Sequence, residues 1–123
     1  RRLDSDLLDL IEAALEDRVS GQQPRWNSQA ACCIVMASGG YPGSYKTGHL
    51  ISGLTDAGAN PDVVVFHAGT KVEAGKTMTS GGRVLGVTCL ADSISRARAR
   101  AYEAVEQISF EGCQFRRDIG GVG

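Results

Sequence analysis

Residues 63–90 read VVVFHAGTKVEAGKTMTSGGRVLGVTCL. Two β-branched runs, Val63 to His67 and Val84 to Leu90, flank two shorter segments broken at Ala74-Gly75 and at Ser80-Gly81-Gly82. β-Branched residues fit a pleated surface and glycine supplies the backbone freedom of tight turns, so the stretch predicts a four-strand antiparallel meander. Three side chains of anion-binding type recur along it, His67, Lys71 and Arg83, with Thr70, Thr79 and the Gly81-Gly82 amides between them. In a closed meander, Lys71 and Arg83 come from segments able to neighbour one another. A planar guanidinium beside unshielded amides suits a phosphate or carboxylate. The plainer reading is also open: cations beside hairpin turns are commonly solvated, and a histidine ending an apolar strand is commonly structural.

Upstream, Ala31 to Ser38 (ACCIVMAS) is a continuous apolar run that predicts a buried strand. It leads into GGYPGSYKTG, residues 39–48, where Gly39, Gly40, Gly43 and Gly48 with Pro42 exclude a helix and make a loop of exposed amides around Tyr41. No Gly-Lys-Ser/Thr opens a helix there and GxGxxG is absent, so the loop is not a nucleotide-binding fingerprint. Asp4 is placed to cap a helix over residues 5–18, with Leu7, Leu8, Ile11, Ala14 and Leu15 at helical spacing. A polar connector follows over residues 20–29, and its Trp26 is expected to pack over an apolar edge.

Beyond the loop, His49 to Leu54 reads as a short strand or turn and Thr55 to Asp62 as a surface loop. Gly86, inside the last strand, marks a bulge or a close backbone approach. Asp92 or Ser93 caps a second helix with Ile94, Ala97, Ala101, Ala104, Val105 and Ile108 on one face. Arg98 borders that face and calls for an internal partner. Phe110, Cys113 and Phe115 suggest a short return strand before Arg116-Arg117-Asp118.

The 123 residues amount to about one domain, and 42% apolar content supplies a real core. A net charge of -1, with Arg96, Arg98 and Arg100 spread around a helix, argues against nucleic-acid binding. From Lys71 onward eight Lys/Arg face six Asp/Glu, against five and eight before it, so the later part favours an anionic ligand. Four cysteines without CxxC spacing read as reduced thiols of a cytoplasmic protein, with neither zinc nor a disulfide framework. No apolar run approaches the roughly 20 residues that span a bilayer, and no membrane partner is expected. Arg1 in place of an initiator Met, with a helix beginning almost at once, is expected of a piece of a longer chain.

Taken together and in this order, GGYPGSYKTG, VFHAGTK, TSGGRVLGVT and CQFRRDIG resemble the C-terminal portion of glycinamide ribonucleotide synthetase, the phosphoribosylamine-glycine ligase family of the ATP-grasp superfamily. The resemblance covers most of positions 31–120. It implies an α+β fold, a small antiparallel, barrel-like sheet with one packed helix, preceded by one helix left from the ATP-grasp domain. Residues 1–29 would be that helix and its linker, 30–120 the substrate-contacting domain, and 121–123 a tail. The implied activity is ATP-dependent joining of glycine to 5-phosphoribosylamine, through a glycyl phosphate, in de novo purine biosynthesis. ATP and Mg²⁺ are the implied cofactors, with their ligands expected outside this chain, which alone would not turn over.

The resemblance carries substrate-phosphate contacts to Arg83, Lys71, Gly81 and Gly82. Gly39, Gly40, Tyr41, Pro42, Gly43, His67 and Thr70 would line the cleft, and no catalytic residue is assigned. The implied partner is the remainder of the ligase polypeptide, with no nucleic acid and no membrane. Two alternatives stand beside this reading: a non-catalytic docking module, or the cap of another ATP-grasp ligase or carboxylase.

Overall fold

The computed structural model describes residues 1–121. Five strands, β1 (Ala30–Ala37), β2 (Val63–His67), β3 (Thr70–Glu73), β4 (Lys76–Thr79) and β5 (Arg83–Ala91), combine with helices α1 (Leu7–Leu15), α2 (Leu54–Ala57) and α3 (Ile94–Val105). The α+β class is the expected one, but the pairing is not a simple meander. The main sheet runs β1-β5-β2, and β3-β4 stand apart as a hairpin. β5 is antiparallel to both neighbours, with Val87 opposite Ile34 on one side and Val65 on the other. Its nine residues are buried almost without interruption, and a strand buried on both faces is best satisfied at the centre of a sheet. β4 therefore turns away, and β5 pairs instead with β2.

The hairpin closes at Ala74-Gly75 as the sequence indicates, with Glu73 opposite Lys76. Both turn residues have positive φ. α3 lies across one face of the main sheet and buries Ala97, Ala101, Ala104 and Val105 against a core that includes Cys32, Ile34, Met36, Val87 and Cys89. Alanines on the inner face let the helix sit close to the strands, and the Ser93 hydroxyl caps its first turn by accepting from the Arg96 amide.

Several local expectations shift for nonlocal reasons. α1 is capped by Asp6, not Asp4, because Leu3 is held extended in a bridge to Trp26. Asp17, at φ 55°, ends the helical turn. The apolar stripe of α1 stays exposed at Leu7, Leu8, Ile11 and Leu15, and Trp26 is exposed too. Residues 54–57 form α2 rather than loop, entered through Gly53 at φ 81°, where an added Cβ would lie 1.8 Å from the Gln107 carbonyl oxygen. The sheet irregularity falls between Met36 and Ala37, not at Gly86. The return strand reduces to one bridge, Ala37 to Gln114.

Arg98 finds its internal partner in the segment after that bridge. Its guanidinium donates to the Ile119 carbonyl at 2.9 Å and the Arg117 carbonyl at 3.1 Å, and lies 5.2 Å from the Tyr102 ring centroid. The Tyr102 hydroxyl donates to the Arg116 carbonyl at 2.8 Å and accepts from the Ile119 amide at 3.1 Å. Tyr102→Phe removes both bonds, and we expect a loss of about 1–2 kcal/mol. Urea unfolding should show a lower midpoint with an unchanged m-value.

All four cysteines are free, and Cys33 alone is exposed. Burial pushes the Cys113 thiol up to about 11, and burial also raises Cys32 and Cys89. Since the thiolate is the reactive form, one fast-reacting thiol, at Cys33, is expected with a maleimide at pH 8, and peptide mapping identifies it.

Candidate functional site

The corner between β4 and β5 is fixed by the residue that follows β1. Ser38 is buried; its hydroxyl donates to the Gly81 carbonyl at 2.8 Å and its amide donates to the Gly82 carbonyl at 2.8 Å. In a trans peptide the carbonyl and the following N–H point in opposite directions. Anchoring the Gly81 carbonyl on Ser38 thus turns the Gly82 N–H the other way. Among the described residues, neither the Gly81 nor the Gly82 amide donates a hydrogen bond.

Gly69 completes the corner from the other side. Its amide donates to the Arg83 carbonyl at 2.9 Å, and its carbonyl accepts from the Ser80 amide at 2.7 Å. A Cβ at Gly69 would lie 2.6 Å from the Arg83 oxygen and 2.7 Å from the Gly81 Cα, so only glycine permits this approach. Tyr41 covers Gly82: a Cβ there would meet the Tyr41 ring at 2.3 Å and Tyr45 at 3.0 Å. The Gln114 side-chain Nε2 in turn donates to the Tyr41 carbonyl at 2.9 Å.

Arg83 begins β5 at this corner with its side chain exposed, and among the described residues it has no acidic partner. Lys71 differs. It pairs with Glu73 at 2.8 Å, and the Lys71 ammonium holds the Glu73 carboxyl below its ordinary range, by its hydrogen bond first and its charge second. His67 and Thr70 close the turn into the hairpin through Nδ1 and Oγ1 at 3.0 Å. Gly40, Pro42 and Gly43 lie on the exposed side of the loop, while Gly39 packs against Gly112.

Two concavities flank the tyrosine pair, whose ring centroids are 6.2 Å apart. One, of about 420 Å³, is bounded by Val35, Ala37, Tyr41, Phe115 and Arg116. The other, of about 380 Å³, is bounded by Gly39, Tyr45, Lys46, His49 and Glu111. Arg83 lines neither and stands exposed at the start of β5.

The sequence matches the phosphoribosylglycinamide synthetase C domain over residues 31–122. The chain belongs to this family. It is 52% identical over 112 residues to a phosphoribosylamine--glycine ligase of Synechocystis, covering 90% of this chain and 26% of that protein. A chloroplastic phosphoribosylamine--glycine ligase of Arabidopsis thaliana is 47% identical over 121 residues, covering 97% of this chain and 23% of that one. The crystal structure of the Thermotoga maritima phosphoribosylamine--glycine ligase superposes with a TM-score of 0.68 at 33% identity, over 89% of this chain and 27% of that one. The chain thus spans about a quarter of the length of the relatives it matches.

Within this synthetase C domain, three members of the corner escape a reading of sequence: Ser38, Gly69 and Gln114. Ser38 is the first polar residue after eight apolar ones, a signal that could have marked it. Gly69 is one of sixteen glycines, and nothing local sets it apart. Gln114 reaches Tyr41 across 73 positions, a pairing that no local pattern encodes.

Proposed function

We propose that this chain is the C-terminal, substrate-contacting part of a phosphoribosylamine-glycine ligase, the enzyme that joins glycine to 5-phosphoribosylamine with ATP in purine biosynthesis. The observation that carries this reading is Arg83, a guanidinium with no acidic partner among the described residues, at a corner where Ser38 holds the Gly81 and Gly82 carbonyls and, among the described residues, neither glycine amide donates a hydrogen bond. A substrate phosphate at this corner meets a bidentate cation and the half-buried Gly81 amide, with Gly82 beneath the Tyr41 ring, a combination suited to a phosphate dianion. Holding the phosphate fixes the far end of the substrate, so that its amine is positioned against the activated glycine. Tyr41 and the Gly39–Gly43 loop shield the corner on one side. Lys71, paired with Glu73 at the surface, is read as a secondary contact.

The activity so read would require ATP as the phosphoryl donor to the glycine carboxylate and Mg²⁺ to offset the phosphate charge. The residues of this chain do not fit the metal: among the described residues, no three His, Cys, Asp or Glu side chains come together. In this reading both cofactors are held by the rest of the ligase, and residues 30–120 act by charge and position. Residues 1–29 are read as the end of the ATP-grasp domain, and the exposed stripe of α1 suits packing against that body. Among the described residues no helix is long and apolar enough to cross a membrane, and we place the activity in the cytoplasm.

A chimera tests the reading. With the C-terminal quarter of the Synechocystis ligase replaced by this chain, ATP-dependent formation of glycinamide ribonucleotide should persist. A chimera that folds and binds ATP but forms no product counts against it.

A further inference from the structure

The cavity on the Tyr45 side of the loop shares Gly39 and Tyr45 with the walls of the Arg83 corner but none of its charged residues, and its construction suits a ligand of its own. Its floor is glycine on glycine: a Cβ at Gly39 would lie 2.8 Å from the Gly112 carbonyl oxygen. His49 is locked at its edge by the buried end of β4. The His49 amide donates to the Thr79 hydroxyl at 3.1 Å, and the His49 carbonyl accepts from the Thr79 amide at 2.8 Å. Thr79 itself is fully buried, so the imidazole projects from an anchored backbone.

One carboxylate already sits on that imidazole: Glu111 Oε2 lies 3.2 Å from His49 Nδ1, on a side chain that is 82% exposed. Lys46 lines the same cavity and among the described residues has no acidic partner. An anchored imidazole holding a carboxylate from a largely solvated side chain, in a cavity also lined by a lysine that has no acidic partner among the described residues, is a site that takes carboxylates and whose present occupant is easily displaced.

We propose that this cavity binds a small organic carboxylate through Lys46 and His49, with Glu111 as the internal group it displaces. The site shares no charged residue with the Arg83 corner and does not depend on the reading of that corner.

Malonate, titrated into the ¹⁵N-labelled 123-residue chain and followed by amide NMR, provides the test. Saturable shifts are expected at Gly39, Lys46, His49 and Glu111. Lys46→Met should weaken binding about tenfold, as the loss of a charged hydrogen bond implies. Glu111→Gln should tighten it about two- to fivefold, the range of an exposed ion pair released from competition. Arg83→Ala should leave it unchanged. Shifts confined to Arg83 or Arg116, or equal affinity in wild type, Lys46→Met and Glu111→Gln, would overturn the proposal. Inorganic phosphate binding at the same residues more tightly than malonate would overturn the carboxylate assignment.

Discussion

Gly69→Ala is expected to lower the unfolding free energy by about 3 kcal/mol. The added methyl would lie 2.6 Å from the Arg83 oxygen, 2.7 Å from the Gly81 Cα and 2.9 Å from the Gly81 nitrogen. All three are backbone atoms, so no flexible side chain can swing aside, and relief comes only by opening the neck of the β3-β4 hairpin. Opening it sacrifices the Gly69 to Arg83 and Ser80 to Gly69 bonds. Overpacking and two lost backbone bonds together put the change at the upper end of ordinary point substitutions. Gly21→Ala is the control: nothing lies within 4 Å of its added methyl, and its stability should stay within about 0.5 kcal/mol of wild type. Urea unfolding of the two variants decides the matter, and a loss below about 1 kcal/mol for Gly69→Ala would mean that the neck is looser than the distances state.

Arg83→Ala, made in a ligase carrying this C domain, should lower kcat/KM for phosphoribosylamine about 10- to 150-fold. That span corresponds to the 1.5–3 kcal/mol of a charge-assisted hydrogen bond. The KM for ATP should hardly move. Arg83→Lys should recover only part of the loss, because an ammonium is a point charge and cannot fork across two oxygens. Lys71→Ala should cost no more than about threefold, since Glu73 already occupies its ammonium. Equal effects of the two alanine variants would show that the ligand reaches the hairpin and breaks the Lys71–Glu73 pair.

Strand positions were legible in residues 63–90 because β-branched runs and glycine turns are local signals. Their partners were not, since pairing is decided by which strand must be covered on both edges, and the long burial of β5 emerges only after α3 and β1 are in place. α3 was legible from its alanine periodicity and its serine cap. The cap of α1 was misplaced by two residues because the Leu3–Trp26 bridge spans 23 positions.

In the site, Arg83 and its glycines stood out by residue type, whereas Ser38, which holds the two glycine carbonyls, lies 43 positions from Gly81. The pairing of Lys71 with Glu73 was readable in principle, since residues two apart share one face of a strand. Gly69 could not be singled out without its three backbone neighbours.

The most direct measurement is amide NMR on a ligase labelled with ¹⁵N only in this segment, titrated with ribose 5-phosphate as a stable stand-in for the labile amine. The account predicts saturable shifts at the Gly81 and Gly82 amides and the Arg83 side chain, with Lys71 little affected. Unmoved Gly81 and Gly82 signals at a saturating concentration, with binding detected elsewhere in the ligase, would contradict it.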